Sequence, residues 1–340
     1  MTNHSVGIPM SKSNEPSSWT PKKGNAFLAL IANTKLSDAE KECLSSETIS
    51  ILSGCIEPGS LGRKNTGLVI GYVQSGKTMS FTSLTALASD NGYRLIIVLA
   101  GTTNNLVEQC LARLKKDLDV VSSRDWNLFT TQQKAFNTSH AARVGVELGR
   151  WRRGRPNART ILIVTMKHHQ HLENLSMLLR DSSFDDIPTL IIDDEGDQAG
   201  MNTKAKLMEE SATYACIKTL RSLFSQHSYV LYTATPQAPL LISRIDALSP
   251  SFGCVLTPGV DYIGGREFFV EGRGCYIKTI PSEDVVGKNE EPLGPPFSLM
   301  LALRDFFVGV SIGLLEGDHM ANRSMMIHPD RKSTRLNSSH

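Results

Sequence analysis

Residues 71–78, GYVQSGKT, have the spacing of a loop that binds phosphate. They fit the pattern G-x-x-x-x-G-K-[ST], in which glycines let backbone N–H groups approach an anion closely. Lys77 would reach the β- and γ-phosphates, and the Thr78 hydroxyl would hold Mg²⁺. The sequence therefore predicts a site for ATP and Mg²⁺. The residues predicted to bind nucleotide are Gly71, Gln74, Ser75, Gly76, Lys77 and Thr78.

Residues 190–197, LIIDDEGD, form a second motif in which an apolar run ends in acid. A buried strand of this kind delivers a carboxylate to a metal beside bound phosphates. We predict that Asp194 contacts Mg²⁺ and that Glu195 polarises the attacking water. A shift of one residue would instead turn Asp193 toward the site. The predicted catalytic residues are Lys77, Asp194 and Glu195, and the predicted metal ligands are Thr78 and Asp194.

Residues 233–236, TATP, form a third motif after the apolar residues VLY. Small hydroxyl side chains at this place can hydrogen-bond the acidic motif and sense the γ-phosphate. Thr-Pro turns are frequent, so the motif gains its meaning from its position after the first two. We expect Asp197, Thr233 and Thr235 to couple the nucleotide site to the rest of the protein.

The elements that must position these motifs alternate along the chain. Apolar runs without polar alternation are typical of strands buried on both faces of a sheet, and stretches at helical spacing separate them. The three motifs follow such runs directly, and parallel sheets bind ligands at the carboxyl ends of their strands. The pattern predicts an α/β fold, with a mostly parallel sheet and helices on both faces. The predicted strands lie at residues 67–73, 94–100, 160–164, 189–192 and 229–232.

The composition is that of an ordinary globular protein, with 340 residues, 40% hydrophobic, 21% charged and a net charge of +2. That charge is too small to indicate nucleic-acid binding by itself. The six cysteines are far apart and form no C-x-x-C pair, which fits a reducing cytoplasm. The polar N-terminus lacks the apolar region of a signal peptide. The apolar residues 306–315 are too few to span a membrane, so we expect a buried helix there, within a helical stretch over residues 297–315, and no membrane partner.

The chain divides into segments of different character. We expect a disordered tail over residues 1–25, a small helical cap over 26–58 and an ATPase lobe over 59–294. Residues 295–329 would begin a second lobe, with its first strand over residues 324–328. Residues 330–340, DRKSTRLNSSH, match the translation of a common sequencing adapter, and we expect them to be an artefact.

The order of GYVQSGKT, LAGTTNNL, DDEGD and TATP resembles motifs I, Ia, II and III of superfamily-two helicases and translocases. The longer strings LIIDDEGDQAGMNT and YTATPQAPLL resemble those of the bacterial Z-one domain proteins, over residues 60–329. This resemblance implies a RecA-like P-loop NTPase lobe, truncated at the start of a second lobe that would close the ATP cleft. Proteins of this group are usually labelled endonucleases and lie near phage-defence and restriction genes. No P…D…E-x-K nuclease pattern supports that label in this sequence.

Two groups of residues are candidates for contact with nucleic acid. By resemblance to motif Ia, Thr102 and Thr103 would bind the sugar-phosphate backbone, although capping of the next helix explains Thr103 equally well. Residues 151–155, WRRGR, include Arg152 and Arg153 beside an indole. They could follow a nucleic-acid strand by charge and stacking, and a solvated surface loop is the alternative. DNA is the expected polymer, and RNA stays open.

Together the motifs predict the ATP-binding lobe of a DNA helicase or translocase that acts in phage defence or restriction. Transition-state charge in such NTPases is usually neutralised by an arginine from across the lobe interface. We therefore expect this chain to bind ATP and Mg²⁺ but to hydrolyse ATP poorly. An ATP-dependent endonuclease and a nucleotide-operated defence switch are the alternatives. Its partners would be a nuclease or other defence proteins, and the sequence leaves the oligomeric state open.

Overall fold

A parallel sheet of seven strands forms the centre of the part of the chain that the structure describes. The computed structural model describes residues 19–72, 76–131, 137–155, 158–197, 212–236, 239, 248–260, 262–284, 294–317 and 323–327. The strands are β1 Lys64–Ile70, β2 Leu95–Leu99, β3 Trp126–Thr130, β4 Thr160–Thr165, β5 Thr189–Asp194, β6 His227–Thr233 and β7 Phe252–Val255. They stand in the order β3-β4-β2-β5-β6-β1-β7, and all neighbours pair in parallel. The predicted α/β fold with a mostly parallel sheet is confirmed.

Helices cover both faces of this sheet. They are α1 Asn25–Asn33, α2 Asp38–Gly54, α3 Lys77–Asp90, α4 Asn104–Asp117, α5 Thr138–Arg152, α6 His169–Leu179 and α7 Ala212–Ser222. Core residues of α1 to α4 pack on one face, and those of α5 to α7 pack on the other. In strand β2, Ile96 and Val98 pack in the core on one face of the sheet, and Ile97 and Leu99 pack in the core on the other. Both faces of the strand are therefore buried, which explains why its sequence lacks polar alternation. Each buried side chain of this size contributes about 1.5–3 kcal/mol to stability.

The two edge strands, β3 and β7, are absent from the sequence prediction. Their sequences are WNLFT and FGCV, and both alternate between more and less buried residues. A strand with only one neighbour in the sheet does not need an unbroken apolar run, so the pattern that reveals central strands misses it. The five predicted strands are all present, with ends shifted by a few residues.

Residues 19–24, which the sequence analysis assigns to a disordered tail, pack against the cap and the sheet helices. The Trp19 indole N–H donates to the Cys55 carbonyl at 3.0 Å. The carboxylate of Asp90, at the end of α3, accepts hydrogen bonds from the backbone N–H groups of Gly24, Ala26 and Phe27 at 2.9–3.1 Å. Asp90 thus satisfies free amides at the start of α1 from a distant part of the chain. Residues 1–18 lie outside the described part.

Residues from Ile263 onward form a second compact unit, so the chain divides earlier than the predicted boundary at 294. Its helical segments are a π-helix Glu267–Glu271, α8 Arg273–Tyr276, a 3₁₀ turn Ser282–Asp284 and α9 Phe297–Leu315. The strand predicted over residues 324–328 does not form at 324–327, and residue 328 lies outside the described range. A strand needs a neighbour to bond its backbone, and the described residues of this unit provide none. Residues 330–340 also lie outside.

The prediction of a buried helix near the end of the chain is wrong in the described structure. Helix α9 has 19 residues, coincides with the helical stretch predicted over residues 297–315, and buries only Gly313. Phe297 is 77% exposed and Leu315 is 88% exposed. Apolar residues on every side leave the helix no polar face, a composition typical of helices buried in a core or a membrane, so composition alone predicts burial that the described residues do not provide. With a mean hydropathy of 1.7 it is long and apolar enough to cross a membrane, a test that core helices of soluble proteins also pass.

Candidate nucleotide-binding site

The end of the phosphate-binding loop has the backbone geometry that its sequence predicts. Gly76 precedes α3 with φ of 95°, in the left-handed region that favours glycine. A Cβ placed on Gly76 would meet no atom within 4 Å, so the backbone angle and not crowding requires glycine there. The first amides of α3 therefore face the loop with the positive end of the helix. Gln74 and Ser75, also predicted to bind nucleotide, lie outside the described residues.

Both polar side chains that follow Gly76 contact other protein groups. The Lys77 ammonium donates to the Tyr72 carbonyl of the same loop at 3.1 Å. The Thr78 hydroxyl accepts a hydrogen bond from the Arg113 guanidinium of α4 at 3.1 Å. Gly71 lies against Lys77, since a Cβ on Gly71 would come within 2.8 Å of the Lys77 Cγ. The sequence analysis misses Arg113, because nothing local marks an arginine in the middle of a helix as part of a site.

The two aspartates at the end of β5 have different surroundings. Asp193 is fully buried, and its carboxylate pairs with the Lys167 ammonium at 2.5 Å and accepts from the Tyr229 hydroxyl. Asp194 is half-buried, and burial raises its pKa to about 6, with Lys167 and Lys77 acting in the opposite direction. Successive residues of a strand face opposite sides. Asp193 is thus buried in the core, whereas Asp194 lies close enough to the phosphate-binding loop for the charge of Lys77 to lower its pKa.

Glu195 adopts an uncommon backbone conformation next to Asp194. Its φ is 53°, and it is half-buried. Its N–H donates to the Asp194 carboxylate at 3.1 Å, and the N–H of Gly196 donates to the Tyr232 carbonyl at 2.8 Å. Positive φ in a residue with a side chain persists only where surrounding contacts enforce it, and such residues cluster at functional sites.

The third motif is hydrogen-bonded to the acidic motif, as its residue types predict. The Asp197 carboxylate accepts from the Thr233 hydroxyl at 2.7 Å and from the Thr235 hydroxyl. Burial alone would raise the pKa of Asp197, but these two hydrogen bonds, together with its own backbone N–H and the charge of Lys167, outweigh that effect, and its pKa lies below the ordinary value. The Thr233 carbonyl also accepts from the N–H of Gly71 at 3.0 Å. Thr233 therefore contacts both the phosphate-binding loop and the acidic motif.

A cavity of about 240 Å³ opens beside the start of α3. Apolar side chains of α2 and of the segment after β7 line it together with a few polar groups. Its lining includes Leu36, Cys43, Gly76, Met79, Leu256 and Thr257. The cavity thus joins the phosphate-binding loop directly to a mostly apolar space.

The two pairs of residues predicted to contact nucleic acid lie at opposite ends of the strands of the sheet. Thr102 and Thr103 follow the carboxyl end of β2, just as the phosphate-binding loop follows the carboxyl end of β1. The Thr103 hydroxyl caps α4. Arg152 and Arg153 end α5 on the way to the amino end of β4. The Arg152 guanidinium donates to the Asp186 carboxylate at 2.6–3.1 Å and to the Ser183 carbonyl at 2.6 Å, while Arg153 is exposed. The structure does not bring these two pairs together.

The described residues fit ATP and Mg²⁺ at this edge of the sheet. The open space around Gly76 and the free amides of α3 suit a phosphate. The Thr78 hydroxyl and the Asp194 carboxylate are the oxygen ligands that Mg²⁺ prefers. The raised pKa of Asp194 also indicates a buried carboxylate that lacks sufficient positive charge, which a cation would supply.

Comparison with known proteins gives only distant structural similarity. The Hef helicase domain of Pyrococcus furiosus matches over 56% of this chain and 34% of its own, with 15% identity and a TM-score of 0.39. The DUF1998 helicase MrfA matches with a TM-score of 0.40 over 87% of this chain and 42% of its own, at 12% identity. The structure of MrfA bound to DNA matches with a TM-score of 0.44 over 68% of this chain and 29% of its own, at 13% identity.

The chain thus spans less than half the length of these solved structures. No family model and no curated protein matches it. Similarities at this level carry no argument about activity, and the resemblance to Z-one domain proteins stays a prediction.

Proposed function

We propose that this chain is the ATP-binding lobe of a helicase- or translocase-like ATPase that acts on DNA. One observation carries the proposal: Thr233 joins the phosphate-binding loop, through the N–H of Gly71, to the acidic motif, through Asp197. A P-loop alone would serve many nucleotide-binding proteins. A motif that bonds the loop through a backbone carbonyl and the acidic motif through two hydroxyls could pass a change in the bound nucleotide to the rest of the protein.

The roles of the individual residues follow from their positions. The amides that begin α3 and the Lys77 ammonium would hold the phosphates, and Thr78 and Asp194 would hold Mg²⁺. Glu195 would polarise the attacking water, and the cavity beside Gly76 would receive the base. When bound, ATP with Mg²⁺ supplies the phosphoryl group whose release changes the charge at this site. Asp193 has no role in metal binding here, because Lys167 and Tyr229 already occupy its carboxylate.

The assignment to DNA and to a biological setting depends on the sequence resemblance. Thr102 and Thr103 share an edge of the sheet with the ATP site, which suits contact with a nucleic-acid backbone. Arg152 suits such contact less, since its guanidinium is bound to Asp186. A role in phage defence or restriction, in the cytoplasm, is part of the proposal. Endonuclease activity has no feature among the described residues that favours it over motor activity.

The proposal is tested by replacing Glu195 with Gln and following ATP retention and phosphate release with and without DNA. A general base contributes about 10²–10⁴-fold to rate, so Glu195→Gln should bind ATP as the wild type does while phosphate release falls about a hundredfold or more. Glu173→Gln, an exposed change on α6, is the matched control and should alter neither quantity. Equal phosphate release by Glu195→Gln and wild type would rule out the assignment. Because we expect slow hydrolysis from this lobe alone, release should be followed over many hours.

A further inference from the structure

A fully buried lysine holds the acidic motif from a strand that is not its neighbour. Lys167 follows β4, and β2 separates β4 from β5 in the sheet. Its side chain extends across the carboxyl end of β2, and its own N–H donates to the Gly101 carbonyl at 2.9 Å. Lys167 is 1% exposed, which is rare for a lysine unless several acceptors surround its ammonium.

The Lys167 ammonium has an acceptor for each of its three protons. It lies 2.5 Å from the Asp193 carboxylate, 2.6 Å from the Asp194 carbonyl and 2.7 Å from the Glu195 carbonyl. Two of the three acceptors are thus backbone oxygens of the residues predicted to hold Mg²⁺ and to activate water. Hydrogen bonds from a charged donor are about twice as strong as neutral ones.

The conformation of Glu195 explains why such a contact is needed. Its φ of 53° is unfavourable for a residue with a Cβ and must be enforced by its surroundings. The Lys167 ammonium donates to the carbonyls of Asp194 and Glu195, which flank the N–Cα bond about which φ of Glu195 turns. The N–H of Gly196, the next residue, donates to the Tyr232 carbonyl. Without Lys167, the carbonyls of Asp194 and Glu195 would lose the donor whose hydrogen bonds oppose relaxation of this angle.

We propose that Lys167 is a positioning residue that locks the backbone of Asp194 and Glu195 in the form that presents both carboxylates to the nucleotide site. It does not touch nucleotide or metal, and it acts through the acidic motif. Asp193 serves as its counter-ion, and the Tyr229 hydroxyl orients that carboxylate. The consequence for metal binding rests on the proposed function, whereas the consequence for the backbone does not.

The test compares two variants of the full chain. Lys167→Met combined with Asp193→Asn removes both buried charges together, leaves an amide oxygen for Tyr229, and deletes the two bonds to backbone carbonyls. Asp193→Asn alone removes the ion pair but keeps those two bonds. The first variant isolates the carbonyl contacts, and the second controls for loss of the buried charge pair.

Amide hydrogen exchange in the absence of nucleotide is the primary measurement. In the double variant, exchange over residues 194–197 should accelerate on the order of tenfold or more, while residues 190–192 of β5 stay protected. Asp193→Asn alone leaves the buried Lys167 charge unpaired and should lower overall stability, but exchange over residues 194–197 should accelerate less than in the double variant. Unchanged exchange in the double variant, or equal acceleration in Asp193→Asn, would overturn the inference.

Affinity for ATP, measured with and without Mg²⁺, separates this inference from the proposed function. The double variant should keep the affinity of the wild type without Mg²⁺ and lose the increase that Mg²⁺ gives the wild type. A wild type that binds no ATP would overturn the proposed function, and the exchange experiment would still decide the role of Lys167.

If the double variant does not fold, adding Glu195→Gly to it gives a second test. Glycine adopts positive φ freely, so the triple variant should regain a cooperative urea transition. A triple variant that also fails to fold would refute the role of Lys167.

Discussion

Replacing Gly76 with alanine tests whether the backbone of the phosphate-binding loop is set as described. The φ of Gly76 is 95°, and a Cβ would meet nothing within 4 Å, so the change adds backbone strain without crowding. Left-handed backbone costs a residue with a Cβ about 1–2 kcal/mol. Gly145, within α5, is the matched control, because a Cβ there also meets nothing and its φ is not positive. Alanine at Gly145 should stabilise the helix by about 0.5–1 kcal/mol.

The two substitutions should therefore differ by about 2 kcal/mol in the free energy of unfolding, with opposite signs. Urea unfolding followed by circular dichroism measures both values under the same conditions. Gly76→Ala should also weaken ATP binding, while Gly145→Ala should not. Equal effects of the two changes on stability would refute the left-handed conformation of Gly76 and with it the loop geometry on which the site depends.

Three other predictions concern Asp194, Arg113 and Trp19. The pKa of Asp194 is raised to about 6, so its contribution to stability is fully present below about pH 4 and is lost as the pH rises through 6, by up to about 3 kcal/mol. Between about pH 4 and 7 the free energy of unfolding from urea titrations should therefore fall by about this amount more in the wild type than in Asp194→Asn. Arg113→Gln frees the Thr78 hydroxyl, and calorimetry should show Mg²⁺–ATP binding tightened about three- to tenfold; weaker binding would show that Arg113 assists the site. Trp19→Phe removes the donor to the Cys55 carbonyl and should cost about 1 kcal/mol in thermal unfolding, a loss that a detached N-terminal segment would not show.

The sequence is most informative where structure depends on neighbours in the chain. Strand β2 is recognisable because all five of its residues are buried, and the glycine before α3 is recognisable because its pattern requires a particular loop. Sequence reasoning favours Asp194 over Asp193 and leaves a shift of one residue open as the alternative. A shift of one residue exchanges the two sides of a strand, and only the position of Lys167 shows which side is core.

Contacts made across the sheet explain what sequence reasoning misses. Lys167 reaches β5 over β2, and this contact depends on the strand order β4-β2-β5, which no local pattern encodes. Arg113 meets Thr78 from another helix, and Asp90 binds the start of α1 across more than sixty residues. Each of these residues looks like an ordinary surface charge in the sequence. Their partners become visible only after the fold has placed the elements.

Calorimetric titration of the chain with ATP and Mg²⁺, in wild type and in Lys77→Ala, tests the central claim most directly. We predict saturable binding of one ATP by the wild type and at least about tenfold weaker binding by Lys77→Ala, because Lys77 is the one cationic residue in the sequence of residues 71–78. Lys115→Ala, an exposed change on α4, is the control and should bind as the wild type does. Absence of binding by the wild type, or equal affinity of wild type and Lys77→Ala, would contradict the assignment of residues 71–78 as the nucleotide site.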